Sequence, residues 1–258
     1  MNAGPIDARV LALDTSLFSR IPSQTTDADK RSLLAVQACV RESVDPYVYL
    51  EIGSHLGGSI QTHLQDPRCR KIYSIDKRPS AQPDDRGPTF EYPENSTERM
   101  IRLLTAIDPQ GVAKIECFDQ DARSIPLSAI LQAPDLCFID GEHTAAAVVS
   151  DFEFCLKVCA TGATIVFHDA PIIFRGLRSV VSSLKKSQRD FSSHALSDAV
   201  YVICLDRSAV RAALTRFAAQ TRKDDLWSRR NDLRLLKWRA VALKERASTL
   251  ATRLMGGS

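Results

Sequence analysis

From residue 47 onward the chain alternates short runs of β-branched and aromatic residues with longer stretches of helical spacing. The runs are YVYLEIG (47–53), KIYSID (71–76), AKIECFD (113–119), DLCFID (135–140) and ATIVFHD (163–169). None shows polar alternation, which is the pattern of strands covered on both faces. Repeated strand–helix–strand units predict a doubly wound, mostly parallel α/β sheet. A helix over GLRSVVSSLKKSQ then leads into SSHAL and AVYVICL, two strand-like runs joined at Ser197 and Asp198. They read as a closing antiparallel hairpin, which brings the sheet to seven strands.

Ahead of the sheet, DADKRSLLAVQACVRES places Leu33, Leu34, Ala38 and Val40 on one helix-compatible face, with Thr26 or Asp27 able to cap its start. Residues 77–98 form a long connection with four prolines and a glycine, closed by a helix-start box from Asn95 to Glu98. Connections of that length above a sheet tend to be lids or substrate walls. Beyond Leu226 one long helix is expected. Its Leu233, Leu236, Ala240, Leu243, Ala247, Leu250 and Leu254 recur at alternating steps of three and four, a narrow seam that calls for a partner helix. The chain therefore divides into an N-terminal helical segment (1–46), an α/β domain (47–205) and a helical extension (206–258).

Charge separates the last two units. The 258 residues carry a net +3, but residues 206–258 hold 13 basic and 5 acidic residues, leaving the first 205 at −5. With 44% hydrophobic residues, 11 glycines and 12 prolines, collagen-like and wholly disordered chains are excluded. No apolar run reaches the roughly 18 residues of a membrane helix. The acidic start lacks the pattern of a signal peptide, so the cytoplasm is the expected compartment. An acidic body argues against a nucleic-acid substrate. The seven cysteines sit mostly in apolar runs, as reduced packing residues do. Cys155 and Cys159 are one helical turn apart, without the second Cys or His pair of a structural zinc site.

The first predicted strand ends in Glu51-Ile52-Gly53-Ser54-His55-Leu56-Gly57-Gly58-Ser59. The pattern is E-x-G-x-x-x-G-x-S, which fails the G-x-G-x-x-G fingerprint for a pyrophosphate and has no Gly-Lys-Ser/Thr of a phosphate loop. That argues against a dinucleotide enzyme on the same sheet. The second strand ends in Asp76, 25 residues after Glu51, where a carboxylate can accept from both hydroxyls of a ribose. The third ends in Phe118-Asp119-Gln120-Asp121-Ala122, which offers a side-chain acceptor and a backbone N–H to an adenine edge.

In this ordered set, residues 47 to about 205 resemble the class I S-adenosylmethionine-dependent methyltransferases, which have a Rossmann-like sheet. The resemblance implies that Glu51, Gly53, Ser54 and Gly57 surround the methionine end of the cofactor, with Ser59 opening the next helix near its carboxylate. It implies Asp76 as ribose ligand and Asp121 with Ala122 as adenine reader, with Asp140 also lining the cofactor site.

The fourth and fifth strands run into Asp140-Gly141-Glu142-His143-Thr144 and His168-Asp169. FIDGEHT followed by SDFEFCLKVCATGATIVFHD is similar to the small-molecule and sugar O-methyltransferase branch that includes macrocin O-methyltransferase. In that branch the acids ending these strands, here Asp140 and Asp169, commonly bind a divalent metal. This sequence has His168 where a second acid is usual. Two routes to a reactive hydroxyl stay open: a Mg²⁺ held by Asp140 and Asp169, or proton removal by His143 or His168, with Asp140 at the acceptor. A subunit that binds the cofactor without turnover and acts through its tail is the alternative. Packing of the tail helix on the body or in a homo-oligomer is expected.

Overall fold

The computed structural model describes residues 5–87, 89–196, 199–206, 208–220 and 225–255. Among them, the chain builds β1 (Tyr47–Ile52), β2 (Cys69–Ile75), β3 (Ala81–Pro83), β4 (Thr89–Glu91), β5 (Ile115–Phe118), β6 (Leu136–Ile139), β7 (Thr164–Phe167), β8 (Phe191–Ala195) and β9 (Tyr201–Leu205). Seven of these form one sheet in the order β5-β2-β1-β6-β7-β9-β8, while β3 and β4 pair apart from it. Strands β5, β2, β1, β6 and β7 run parallel, and β9 lies antiparallel to both β7 and β8. Each predicted strand appears within two residues of its expected ends. The expected hairpin joint, Ser197 and Asp198, lies outside the described residues.

The unalternating strands are buried on both faces: every residue of β1, β6, β7 and β9 is buried. One side is closed by α5 (Ala145–Val158) and α6 (Ala170–Lys186), whose Phe152, Phe154, Phe174 and Leu177 pack on Leu50, Ile139 and Ile165. The other is closed by α2 (Asp27–Ser43), α3 (Ile60–Leu64) and α4 (Thr97–Thr105). Burial of these apolar side chains, at about 25 cal/mol per Å², is the main force holding helices to sheet. At the start of α2, Thr26 is the cap, and it forms a reciprocal capping box with Asp29. At α4 the expected box shifts by one residue: Ser96 caps, accepting from Arg99 N, while Asn95 accepts from Arg78. The helix expected at Gly176 begins earlier, because Pro171 in the first turn suits a helix start and places residues 170–176 within α6.

A short N-terminal helix, α1 (Pro5–Leu11), packs on α2, and α7 (Ala209–Ala213) follows β9. The terminal helix, α8 (Arg229–Met255), returns to the body but not by its predicted seam. Leu235 and Ala242, with Trp238 beside them, face inward, whereas Leu233, Leu236 and Leu243 are 57–66% exposed. Arg178 fixes its start, donating to the carbonyls of Leu226 and Ser228 and pairing with Asp232 at 3.0 Å. No helix among the described residues is long and apolar enough to cross a membrane. All seven cysteines are free thiols. Burial pushes the Cys159 thiol up to about 12, in keeping with a packing group.

Candidate active site

Parallel strands deliver all their carboxyl ends to one edge of the sheet, and the cleft opens there. Two cavities of about 210 and 120 Å³ lie side by side and share Gly53, Asp76 and Gln82 in their walls. The first is lined by Glu51, Ser54, Ser59, Asp140, His143, His168 and Asp169; the second by Asp121, Ala122, Lys77, Glu142 and Asp151. Of the residues expected in the site, Gly57 alone stays out of both walls. Its φ of +83° makes the turn, and it packs under Met100 and Leu104.

Glu51 is 1% exposed at the end of β1. Tyr49 donates to it at 2.7 Å, and Ser59 donates to its other oxygen. Ser59 opens α3 in sequence, but its hydroxyl serves Glu51 and makes no cap. Burial pushes the Glu51 carboxyl up to about 8 despite these two donors, with Asp140 and Asp76 adding repulsion. Gly53, at φ +93°, brings the backbone so near β6 that a Cβ would lie 2.2 Å from the Asp140 carbonyl oxygen. Asp76 accepts backbone N–H groups from His55 and Arg78, both at 2.8 Å. A carboxylate has lone pairs beyond these two. Asp121 is gripped by Arg123 through two 2.9 Å bonds, which hold it well below the usual carboxylate range, at about 2. Lys77 reaches Glu142 at 3.1 Å and Asp121 at 3.7 Å across the second cavity.

The charged cluster assembles at the ends of β6 and β7. His143 Nε2 lies 3.0 Å from Asp169, and His168 Nδ1 lies 3.1 Å from Asp140 and 3.3 Å from Asp169. Asp169 sits at φ +55° and leaves the start of α6 without a side-chain cap, so its carboxylate is turned to the histidines. Each imidazole has a second carboxylate behind it: Asp84 at 3.0 Å from His143 Nδ1, and Asp29 at 3.4 Å from His168 Nε2. Burial alone would depress His143, but bonds to Asp169 and Asp84 carry it up to about 9. For His168, burial is again overcome, by Asp140 first and then Asp169 and Asp29, and its pKa rises further. Asp169, opposed by two imidazoles, is driven far below the ordinary carboxylate range although burial works against it.

Three ligand atoms, from Asp140, His143 and Asp169, lie within 4.8 Å of one another, close enough to share a divalent ion. The set expected from sequence, Asp140 and Asp169, thus gains a histidine. Mg²⁺ takes oxygen ligands almost exclusively, and an imidazole in the set suits Mn²⁺, Fe²⁺ or Zn²⁺ better.

Several walls were not legible in the sequence. Pro22, Ser23, Gln24 and Thr25 border the first cavity, so the N-terminal segment contributes to the site as well as covering the sheet. Buried Gln61 positions that segment, accepting from Arg20 N and Ile21 N and donating to Phe18 O and Ile21 O. The connection at 77–98 does wall the site as expected, through Arg86, Phe90 and Tyr92, and part of it folds as the β3–β4 hairpin. Asp151, on α5, faces the second cavity, and burial pushes its carboxyl up to about 7. Only Ile172 of residues 170–176 lines the first cavity, and Arg175 pairs with Asp232 of α8 at 3.6 Å.

This fold is the one adopted by class I S-adenosylmethionine-dependent methyltransferases. Residues 50–170 match the family described as a methyltransferase domain, a little under half of the chain. An uncharacterised protein of Acanthamoeba polyphaga mimivirus is 25% identical over 148 residues, covering 55% of this chain and 62% of that one. The match thus spans about three-fifths of that relative's length. Among solved structures, the O-methyltransferase NovP aligns with a TM-score of 0.55 at 14% identity, over 72% of this chain and 84% of that one. TomG from Streptomyces achromogenes, an O-methyltransferase of tomaymycin synthesis solved with S-adenosylmethionine, aligns at 0.51 and 14%, over 78% and 90%. CalS11, a TDP-rhamnose 3'-O-methyltransferase, gives 0.51 and 14%, over 79% and 96%.

Proposed function

We propose that the protein moves a methyl group from S-adenosylmethionine to a hydroxyl of a small molecule or sugar. The observation that carries this reading is the convergence of Asp140, His143, His168 and Asp169 in the same cavity wall as Glu51 and Asp76. When bound, the cofactor supplies a methyl group already activated on a sulfonium, so the protein must mainly position and deprotonate the acceptor. Glu51, Gly53 and Ser54 take the methionine end, and Asp76 the ribose. Asp121 and Ala122 take the adenine edge, with Lys77 and Asp151 beside it. Of the two histidines, His143 is the more easily deprotonated and therefore the candidate base. Asp169 and Asp84 raise it to about 9, so it must first shed its own proton, whereas His168 is enclosed by Asp29, Asp140 and Asp169, which hold its proton more firmly. Where a divalent ion is bound, Asp140, His143 and Asp169 are its ligands, and its chemistry is to lower the pKa of the acceptor hydroxyl. Phe90, Tyr92, Gln24, Gln82 and Asn95 give the acceptor wall aromatic faces and amides, a surface suited to a hydroxylated ring.

Assembly into a homo-oligomer through α8 belongs to the same reading, since Leu233, Leu236 and Leu243 point away from the body. The cytoplasmic placement expected from sequence is kept with it.

The test is release of S-adenosylhomocysteine from S-adenosylmethionine over a panel of nucleotide sugars, glycosides and catechols, run with and without EDTA and then with added Mn²⁺ or Mg²⁺. Release is expected with at least one hydroxyl acceptor and is lost in His143→Ala. Turnover only with amine or thiol acceptors would contradict the proposal.

A further inference from the structure

The hairpin over the site does more than wall it. Asp84, at the tip of β3, has its carboxylate 1% exposed and 3.0 Å from His143 Nδ1. Arg86 clamps the same carboxylate through two side-chain bonds of 2.8 Å, and its backbone N–H donates a third at 2.7 Å. Two more bonds reinforce the contact: Asp85 N donates to His143 O at 3.0 Å, and the Asp85 carboxylate accepts from Ala145 N at 3.2 Å. The hairpin tip is thereby zipped to the turn that carries His143.

From outside, α8 holds the tip. Arg239 donates to the Asp85 carbonyl at 2.6 Å, and Arg246 donates to the Gly87 carbonyl. Ala242 lies against Gly87, and the Arg86 guanidinium lies over the rings of Phe90 and Trp238, 4.6 and 5.9 Å from their centroids. A continuous path of contacts thus runs from α8 through the tip and Asp84 to His143 and on to Asp169.

We propose that Asp84 is a positioning residue that orients His143, and that α8 is the latch that keeps Asp84 in place. Accepting from Nδ1 fixes the ring plane and keeps Nε2 beside Asp169 at the cavity wall, where an acceptor or a metal ion would meet it. The basic extension is therefore part of the active site at one remove. Its inward arginines spend their charge on the hairpin's carbonyls, and a partner that pulled α8 away would release the hairpin and His143 together. The proposal rests on the reading of His143 as the acceptor-side group.

Hydrogen–deuterium exchange of the full-length protein, with and without S-adenosylhomocysteine, tests it. In Arg239→Ala, exchange is expected to rise at least about tenfold both in residues 81–91 and in residues 141–145, while β1, β2 and β5 keep their protection. Asp84→Ala is expected to free residues 141–145 without altering α8, and histidine side-chain NMR should show the His143 ring losing its Nδ1-bonded proton signature. Asp84→Asn, which keeps an acceptor oxygen, should restore most of the protection. Combining Asp84→Ala with Arg239→Ala should leave residues 141–145 no more exposed than Asp84→Ala alone, because both act through one contact. Arg239→Ala exchange within twofold of wild type at 81–91, or an unchanged His143 ring in Asp84→Ala, would overturn the proposal. Failure to bind S-adenosylhomocysteine would instead strike the methyltransferase reading and leave the latch to be judged on exchange alone.

Discussion

Replacing His168 by alanine is expected to lower stability and turnover together. The imidazole is the cation shared by Asp29, Asp140 and Asp169, and Asp29 beneath it is 2% exposed. Removing one partner from a buried ion pair leaves an uncompensated charge and costs roughly 3–5 kcal/mol. At about 2–4 °C per kcal/mol for a chain of this size, the thermal midpoint should fall by about 10 °C. Methyl transfer should drop about 100-fold or more, because Asp140 and Asp169 lose the group that orients them. Differential scanning calorimetry and the S-adenosylhomocysteine assay read the two losses separately. Adding Asp29→Asn removes the stranded charge, and part of the stability should return while activity does not. A variant as stable as wild type would show that His168 is not the electrostatic centre of the cluster.

The second large effect is expected at Gly53. An alanine there must hold φ near +93°, which costs about 1–2 kcal/mol for an L residue, and its Cβ would stand 2.2 Å from the Asp140 carbonyl oxygen. Backbone atoms cannot yield as a side chain can, so the carboxyl ends of β1 and β6 must part. The combined loss should exceed about 3 kcal/mol, placing Gly53→Ala among the severe single substitutions. S-adenosylhomocysteine affinity should fall more than tenfold, since Glu51 and Asp140 are displaced together. Gly141→Ala is the matched comparison: its Cβ would meet Asp151 at 3.5 Å, an ordinary contact, and it should stay within about 1 kcal/mol of wild type in urea denaturation.

The sheet was legible because parallel strands buried on both faces write continuous apolar runs, and the acids that end those runs fall at one edge by topology alone. Glu51, Asp76, Asp121, Asp140, His143, His168 and Asp169 were found that way, and all line the cleft. Asp29 and Asp84 were not. Each reaches its histidine from a segment distant in sequence, and nothing in a helix cap or a proline-rich loop announces an imidazole across the fold. The capping box at Thr26 and Asp29 was half visible, but its second task, backing His168, depends on the start of α2 reaching the end of β7 across the fold.

The extension shows a different limit. The spacing of Leu233, Leu236, Ala240 and Leu243 marks a genuine helical stripe, yet the stripe that docks is Leu235, Trp238 and Ala242. A helix with two apolar stripes does not say in its own sequence which one the body takes. That choice is made by Arg178 and the hairpin carbonyls, which hold Asp232, Arg239 and Arg246 to the body.

Calorimetric titration with S-adenosylmethionine, a cation, probes the cleft beside Glu51. Without cofactor, Glu51 is largely protonated at pH 7, its carboxyl lying at about 8. A cationic ligand favours the ionised form, so binding should release a proton, and affinity should strengthen as pH rises from about 6.5 toward 8. The expected result is one site per chain, with a heat that varies with the ionisation enthalpy of the buffer, and with both the proton release and most of the affinity lost in Glu51→Gln. A folded sample that takes up no S-adenosylmethionine at any pH in this range would show that the cleft is not a site for this cofactor.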